Sequence, residues 1–238
     1  MDKNIFGQHI SRQYNEELED IRNRVLAMGG LVEQQIHNAV QALVEGDTQL
    51  AEKVITNDYQ VNALEVSIDE ESVQCLARRQ PAAADLRLII AVIKTITDLE
   101  RIGDQAEKVA RMALRLAGED RPSNRYVEIQ SLGRHVQEML HHALDAFARM
   151  DAEAAVRVAQ QDIVVDHEYE GVLRQRITFM MEDHRSIARS LDVIWAARAL
   201  ERIGDHSRNI CEYVIYLVKG KDVRHTSLEQ MESLVRGE

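Results

Sequence analysis

The chain has 238 residues, enough for one or two domains around a sizeable core. Its hydrophobic share is 45%, yet aromatics make up only 4% and there are two prolines, a balance that favours helix over sheet. Its 40 acidic residues outnumber 29 Lys and Arg, for a net charge of −11, which argues against a nucleic-acid-binding surface; an anion site would need a local cation or metal. Cys75 and Cys211 lie in apolar helical contexts without CxxC or Cys/His spacing, and read as buried structural thiols. Met1-Asp2-Lys3-Asn4 opens no signal peptide, and the longest apolar run, 88–93, falls far short of the roughly 20 residues that span a bilayer. A cytoplasmic location is expected.

Residues up to about 7 read as loose. From 10 to 44, Leu18, Ile21, Val25, Met28, Val32, Ile36, Ala39 and Leu43 recur at three-and-four spacing, which predicts one long amphipathic helix running through Gly29-Gly30. Gly46-Asp47 marks a turn, with Asp47 or Thr48 placed to cap a second helix that runs to about 79. Pro81 suits the first turn of a third helix, where its missing N–H is no loss. Residues 86–96 are apolar nearly all round, so this third helix should be the most buried of its bundle; it fades near Gly118. Residues 119–124 form the best linker. The plan then repeats, with helices over 126–149, 151–183 and 186–219, and Gly220 placed as a C′ residue. Residues 221–238 read as a polar, frayed tail. No stretch alternates with period two, so no sheet is predicted. The expected fold is all-α: two tandem antiparallel three-helix bundles, 8–118 and 124–220, with a C-terminal tail at 221–238.

An internal duplication supports this plan. Leu99-Glu100-Arg101-Ile102-Gly103-Asp104 recurs letter for letter as Leu200-Glu201-Arg202-Ile203-Gly204-Asp205. Each copy stacks Glu and Asp one helical turn apart, a mutual repulsion of a few tenths of a kcal/mol. Each also places a glycine inside a helix at a cost of about 1 kcal/mol relative to Ala, so close helix approach or ligand access is the expected reason. In the second half, Asp162, Asp166 and Glu170 form one column on the middle helix, and Glu201, Asp205 and Asn209 form another on the last. Facing one another, the two columns would offer the six or so oxygens a hard cation needs. The first half shows the plan weakened: Asp58, Asn62 and Val66 on one helix, Glu100, Asp104 and Lys108 on the other. Val66 and Lys108 replace oxygen groups, so a weaker site is expected there. Glu65 and Asp69 are placed on a different face from Asp58. Without Cys or His columns, Mg, Ca, Mn or Fe fits better than zinc.

The plainer reading of these acids is a set of surface ion pairs: Arg198 with Glu201, Arg208 with Asp205, Arg101 with Asp98. Glu138-Met139-Leu140-His141 has the Glu-x-x-His spacing of di-iron bundles, but those need two copies and only one is found. His141 and His142 read as solvated or edge-of-core residues, Trp195 and Met139 as core or interface, and Arg78, Arg79 and Arg87 as a solvated face or docking patch. No phosphate loop, Gly-x-Ser-x-Gly or HExxH is present, and no nucleophile sits with a base.

The hexapeptide pair and the acidic columns resemble the PhoU family. So do Arg79-Gln80-Pro81 leading into Asp85-Leu86-Arg87, Met28-Gly29-Gly30-Leu31-Val32-Glu33, Tyr169-Glu170-Gly171 and Val218-Lys219-Gly220-Lys221-Asp222-Val223-Arg224-His225. The likeness covers about 10–225 and is closest to gamma-proteobacterial members. It implies a cytoplasmic, dimerising, non-enzymatic regulator of the phosphate-starvation response and of phosphate uptake. Such a protein links the ATPase subunit of the Pst transporter to the PhoR histidine kinase, and meets the membrane only through these partners. It also implies metal at the acidic columns. The competing readings are a carboxylate-bridged metalloenzyme of the helical-bundle class and a purely structural helical adaptor, with a DNA-binding repressor last.

Overall fold

The computed structural model describes residues 4–79, 81–118 and 126–237, with side chains from 13 onward except that of Arg79. Gln80 and the expected linker at 119–124 lie outside the described residues. Nine α-helices are present among those described: α1 (Asn4–Glu45), α2 (Thr48–Asn57), α3 (Tyr59–Arg79), α4 (Ala83–Leu116), α5 (Val127–Arg149), α6 (Ala152–Ala159), α7 (Asp162–Glu182), α8 (Ile187–Lys219) and α9 (Leu228–Arg236). A single 3₁₀ turn, His184–Ser186, joins α7 to α8. No strand occurs among the described residues.

The first bundle packs α1, α4 and the pair α2–α3; the second packs α5, α8 and the pair α6–α7. The bundles share one hydrophobic core, in which α4 meets α8 and α1 meets α5. Both contacts are antiparallel. Along the first, Arg87 faces Leu217, Asp98 faces His206, and Arg115 faces Asp192. Along the second, Gly29 faces Leu144 and Gly133 faces Val40. The helices approach closely at both positions: a Cβ on Gly29 would lie 2.6 Å from a Leu144 methyl, and one on Gly133 would lie 2.7 Å from a Val40 methyl, so either would force its neighbour to shift.

The long α1 follows its apolar stripe. Val25, Met28, Val32, Ile36 and Ala39 are all fully buried, and the 42 residues extend about 63 Å at 1.5 Å each. Its backbone is helical from Asn4, further back than the loose start expected to about Gly7. The Asp47 carboxylate caps α2 by accepting from the Leu50 N–H, and Asp151 caps α6 through the Ala154 N–H.

Three further expectations change. The middle helix of each bundle is two helices, not one. The first breaks at Asp58, the second at Gln160-Gln161, and the apolar pattern runs through both breaks without a Gly or Pro to mark them. Pro81 stands two residues ahead of α4 rather than in its first turn, and Ala82 is the N-cap. The segment after Gly220 is not frayed. Gly220 ends α8 in the left-handed conformation (φ 70°), and Ser227 and Gln230 then close a reciprocal capping box that starts α9. Met231 and Val235 bury themselves in the contact between α9 and α6, and Lys219 Nζ donates to the Val235 carbonyl at 2.7 Å. The segment looked like a tail because its buried apolar residues, Val223, Met231 and Val235, are few and scattered through an otherwise polar stretch.

This docking predicts that Met231→Ala lowers the unfolding free energy by about 2–5 kcal/mol, read from urea or thermal unfolding, because a fully buried side chain is lost. An unchanged midpoint would mean that α9 does not pack.

Candidate functional site

The repeated hexapeptide lies in the middle of α4 and of α8, and its glycine faces the break in the neighbouring middle helix. A Cβ on Gly103 would lie 3.3 Å from Asp58 Oδ1; one on Gly204 would lie 3.4 Å from Asp162 Oδ1 and 3.0 Å from a Val165 methyl. In each bundle the break aspartate lies close against the helix that carries the stacked Glu and Asp. Asp58 and Asp162 are correspondingly buried, 8% and 4% exposed.

In the second bundle Asp162, Asp166, Glu201 and Asp205 come together. Burial raises the Asp162 carboxyl, and the negative charges of Asp166 and Asp205 add to it. Burial followed by repulsion from Asp205 pushes Glu201 from an ordinary 4.5 up to about 7. Asp205 is raised by burial and by Asp166. Two arginines offset part of this: Arg208 Nη1 donates to Asp162 Oδ2 at 3.1 Å, and Arg198, stacked over Tyr169, donates to Glu201 Oε1. Asp162 Oδ1 and Glu201 Oε2 remain buried without a hydrogen-bond partner. A buried anionic oxygen left in that state is costly unless a proton or cation meets it.

Two predicted members of these columns go elsewhere. Glu170 faces solvent and pairs with Arg174 at 3.3 Å. Asn209 turns away, donating its amide to Asp98 Oδ1 at 3.2 Å. The expected pairing of Arg208 with Asp205 is replaced by Arg208 with Asp162, and Arg198 pairs with Glu201 as expected.

The first bundle is less depleted than its sequence implies. Burial raises Asp58, reinforced by Glu107 and Asp104, while Asn62 Nδ2 donates to Asp58 Oδ2 at 3.3 Å. Burial also raises Glu100, reinforced by Asp104, Glu65 and Asp58. Glu65, set aside by its spacing, is raised by burial and by the charges of Asp69 and Asp104, so it belongs to this cluster. Glu65 lies seven residues after Asp58, two helical turns on and on the same face, while Val66 points outward at 56% exposed and Lys108 is exposed. Asp58 Oδ1 has no hydrogen-bond partner, matching Asp162 Oδ1.

The buried Asp98 was not singled out as a site. His206 Nδ1 lies 2.7 Å from Asp98 Oδ1, Tyr213 donates its hydroxyl to Oδ2 at 2.7 Å, and Asn209 completes the set. This polar node ties α4 to α8, one bundle to the other. The sequence signal was available: an acid at a core position of α4 requires partners. Arg87 likewise proves structural, its Nε donating to the Leu217 carbonyl at the end of α8. Trp195 is 62% exposed rather than core, whereas both cysteines are buried.

Among the described residues, no three His, Cys, Asp or Glu side chains converge on a single point as they do around a finished metal centre. The donor set nevertheless fits a hard cation: carboxylates only, with buried oxygens unsatisfied in each cluster. Asp162, Asp166, Glu201 and Asp205 would hold it in one bundle, and Asp58, Glu65, Glu100 and Asp104 in the other.

A raised carboxyl has a definite sign. Glu201 binds its proton more tightly folded than unfolded, so its contribution to stability is complete below about pH 4.5 and is lost as pH rises through about 7. Glu201→Gln should therefore be more stable than the parent at pH 8, by on the order of 1–3 kcal/mol, with the difference shrinking toward pH 5. Parallel pH–stability curves for the two proteins would contradict the assignment.

The PhoU domain family pattern matches residues 25–113 and 129–214, one match on each bundle. The curated "Phosphate-specific transport system accessory protein PhoU homolog" of Pseudomonas aeruginosa is 56% identical over 241 residues, covering 100% of both chains. The "Phosphate-specific transport system accessory protein PhoU" of Escherichia coli K12 is 49% identical over 238 residues, covering 100% of this chain and 98% of its own. The crystal structure of PhoU from Pseudomonas aeruginosa superimposes with a TM-score of 0.84 at 57% identity, over 87% of this chain and 100% of that one. The phosphate transport system regulatory protein PhoU from Streptococcus pneumoniae gives 0.82 at 30% identity, over 88% and 99%. The duplicated hexapeptide, the paired bundles and these full-length matches agree: the chain belongs to the PhoU family.

Proposed function

We propose that this protein is a non-enzymatic regulator of phosphate uptake and of the phosphate-starvation response, acting in the cytoplasm as an adaptor between the ATPase subunit of the Pst transporter and the PhoR histidine kinase. The observation that carries this reading is the full-length likeness to curated phosphate-specific transport accessory proteins at 49–56% identity. The molecule suits such work. It is a helical scaffold with one continuous core, and among the described residues no helix is long and apolar enough to cross a membrane. An adaptor signals when its two partners' states change its relative affinity for each, which requires differential binding free energy and no chemistry. Homodimerisation belongs to the same proposal.

We further propose that the carboxylate clusters take Mg, Mn, Fe or Ca ions. A cation there would supply positive charge to an acidic surface and tie the split middle helix to α4 or α8. Support comes from the unpartnered buried oxygens of Asp58, Asp162 and Glu201. The metalloenzyme reading gains nothing from the geometry, because its one Glu-x-x-His motif, Glu138 and His141, lies in a cleft between α1 and α5.

The test is affinity capture of the tagged full chain from cells grown in high and in low phosphate, probed for the Pst ATPase subunit and for PhoR. The proposal expects both partners, in proportions that shift with phosphate. Capture of neither in either condition would contradict it.

A further inference from the structure

Trp195, the only tryptophan of the chain, faces solvent on α8, and it has company. Ile187, Leu191 and Trp195 follow one another at every fourth position. The contacts of Arg198 with Tyr169 and of Arg208 with Asp162 set the register of α7 against α8. They place Ile177 level with Leu191, and Met181 level with Ile187. Ile177 lies eleven residues, three turns, after Asp166; Ile187 lies eighteen residues, five turns, before Asp205. The five apolar side chains therefore share one face of the α7–α8 hairpin, that of the carboxylate cluster, at the hairpin's closed end. Each is between 42% and 83% exposed. A contiguous apolar patch of this kind marks an interaction site, unlike apolar residues exposed singly.

The charges beside the patch are mostly of one sign. Between 184 and 202 the only acids, Asp192 and Glu201, are buried against Arg115 and Arg198, and the exposed charged groups are cationic. On the other flank, the Arg115–Asp192 and Asp98–His206 contacts place Trp195 level with the last turns of α4. From 108 onward those turns carry Lys108, Arg111 and Arg115 and no acid. This cationic rim stands on a chain of net charge −11. The first bundle has no equivalent. Its repeat holds Ala77 for Met181 and Lys94 for Trp195, and Lys94 lies over the rings of Tyr213 and Tyr216.

We propose that the closed end of the α7–α8 hairpin docks an acidic amphipathic helix of a protein partner. Its apolar face would lie on Leu191 and Trp195, and its carboxylates would meet the rim of Lys108, Arg115, Arg185 and Arg202. An apolar stripe between two helices suits a helix with anchors at i, i+3 or i+4, and i+7. An aromatic anchor at the centre supplies affinity, and the charged rim selects an acidic partner. An anionic bilayer suits the surface less well. Glu182 and Asp183 stand exposed at the hairpin tip, and Asp166 and Asp205 continue the same face, so both ends of the patch repel it. The proposal names one docking surface for the adaptor reading and rests on it only in that sense. The assay below uses neither the transporter nor the kinase, so the two can fail separately.

The test follows Trp195 fluorescence of the full chain during titration with a tryptophan-free peptide of about 20 residues, long enough to hold a helix, with leucine on one face and glutamate on the other. The proposal expects a saturable blue shift at one peptide per chain. Affinity should fall about tenfold or more in Ile177→Ser/Leu191→Ser and severalfold in Lys108→Gln/Arg185→Gln, and stay unchanged in Val73→Ser/Leu86→Ser of the first bundle. All three variants should melt as the parent does, since the side chains changed are exposed. A peptide with lysine in place of glutamate, and vesicles containing phosphatidylglycerol, should leave the emission unmoved. No shift with the glutamate peptide, equal affinity in all four proteins, or an equal response to the lysine peptide or the vesicles would overturn the proposal. So would a fall in oligomeric mass caused by Ile177→Ser/Leu191→Ser, which would assign the patch to a second copy of the chain.

Discussion

The close approach of an aspartate to a glycine inside a neighbouring helix is the constraint on which the rest depends. A Cβ at Gly103 would lie 3.3 Å from Asp58 Oδ1, and one at Gly204 would lie 3.4 Å from Asp162 Oδ1 and 3.0 Å from a Val165 methyl, so each aspartate sits close against the glycine of the neighbouring helix. Each glycine costs its helix about 1 kcal/mol relative to Ala. Beside each, a carboxylate sits largely out of water, next to the stacked Glu and Asp of the same repeat. Repulsion between these acids is then less screened than on an open helix surface. The raised carboxyls of Asp58, Glu100, Asp162, Glu201 and Asp205 all have this origin: burial first, like charge second.

A cluster of this kind opposes folding at neutral pH unless something neutralises it. Arg198 and Arg208 do so in part in the second bundle, each binding one oxygen of its carboxylate and leaving the other unpartnered. In the first bundle the help comes from the Asn62 amide. Each cluster thus remains able to gain from a cation, and the gain would be expressed as a firmer attachment of α2–α3 to α4, or of α6–α7 to α8. The Asp98 node lies on the same two helices, between the clusters, and holds α4 to α8. Charge neutralisation and the contact between bundles are therefore carried by one pair of helices.

Much of this was legible in the sequence. The duplication, the helical periodicity and the stacked acids of the hexapeptide gave the two bundles and pointed to Asp58, Asp104, Asp162, Asp166, Glu201 and Asp205. What escaped were effects of phase. The breaks at Asp58 and at Gln160-Gln161 leave the apolar pattern uninterrupted, so a single regular helix was assumed. Steps of four residues overshoot the 3.6-residue turn, so the third members of the columns, Glu170 and Asn209, rotate off the face of the first, whereas Glu65, seven residues from Asp58, falls back onto its face. The inequality of the two halves, argued from Val66 and Lys108, is correspondingly smaller in three dimensions, because Glu65 supplies a carboxylate that Val66 does not. Asp98 and α9 escaped for another reason: their partners lie over a hundred residues away in one case, and in a two-residue anchor in the other.

The central claim is that burial and mutual repulsion make these carboxylates receptive to a hard cation. Thermal unfolding with increasing Mg²⁺ or Mn²⁺ tests it most directly, comparing the parent with Asp58→Asn, Asp162→Asn and the double variant. The account predicts a concentration-dependent rise in melting temperature for the parent, a smaller rise in each single variant and almost none in the double. An equal rise in all four proteins, or no rise in the parent, would contradict it.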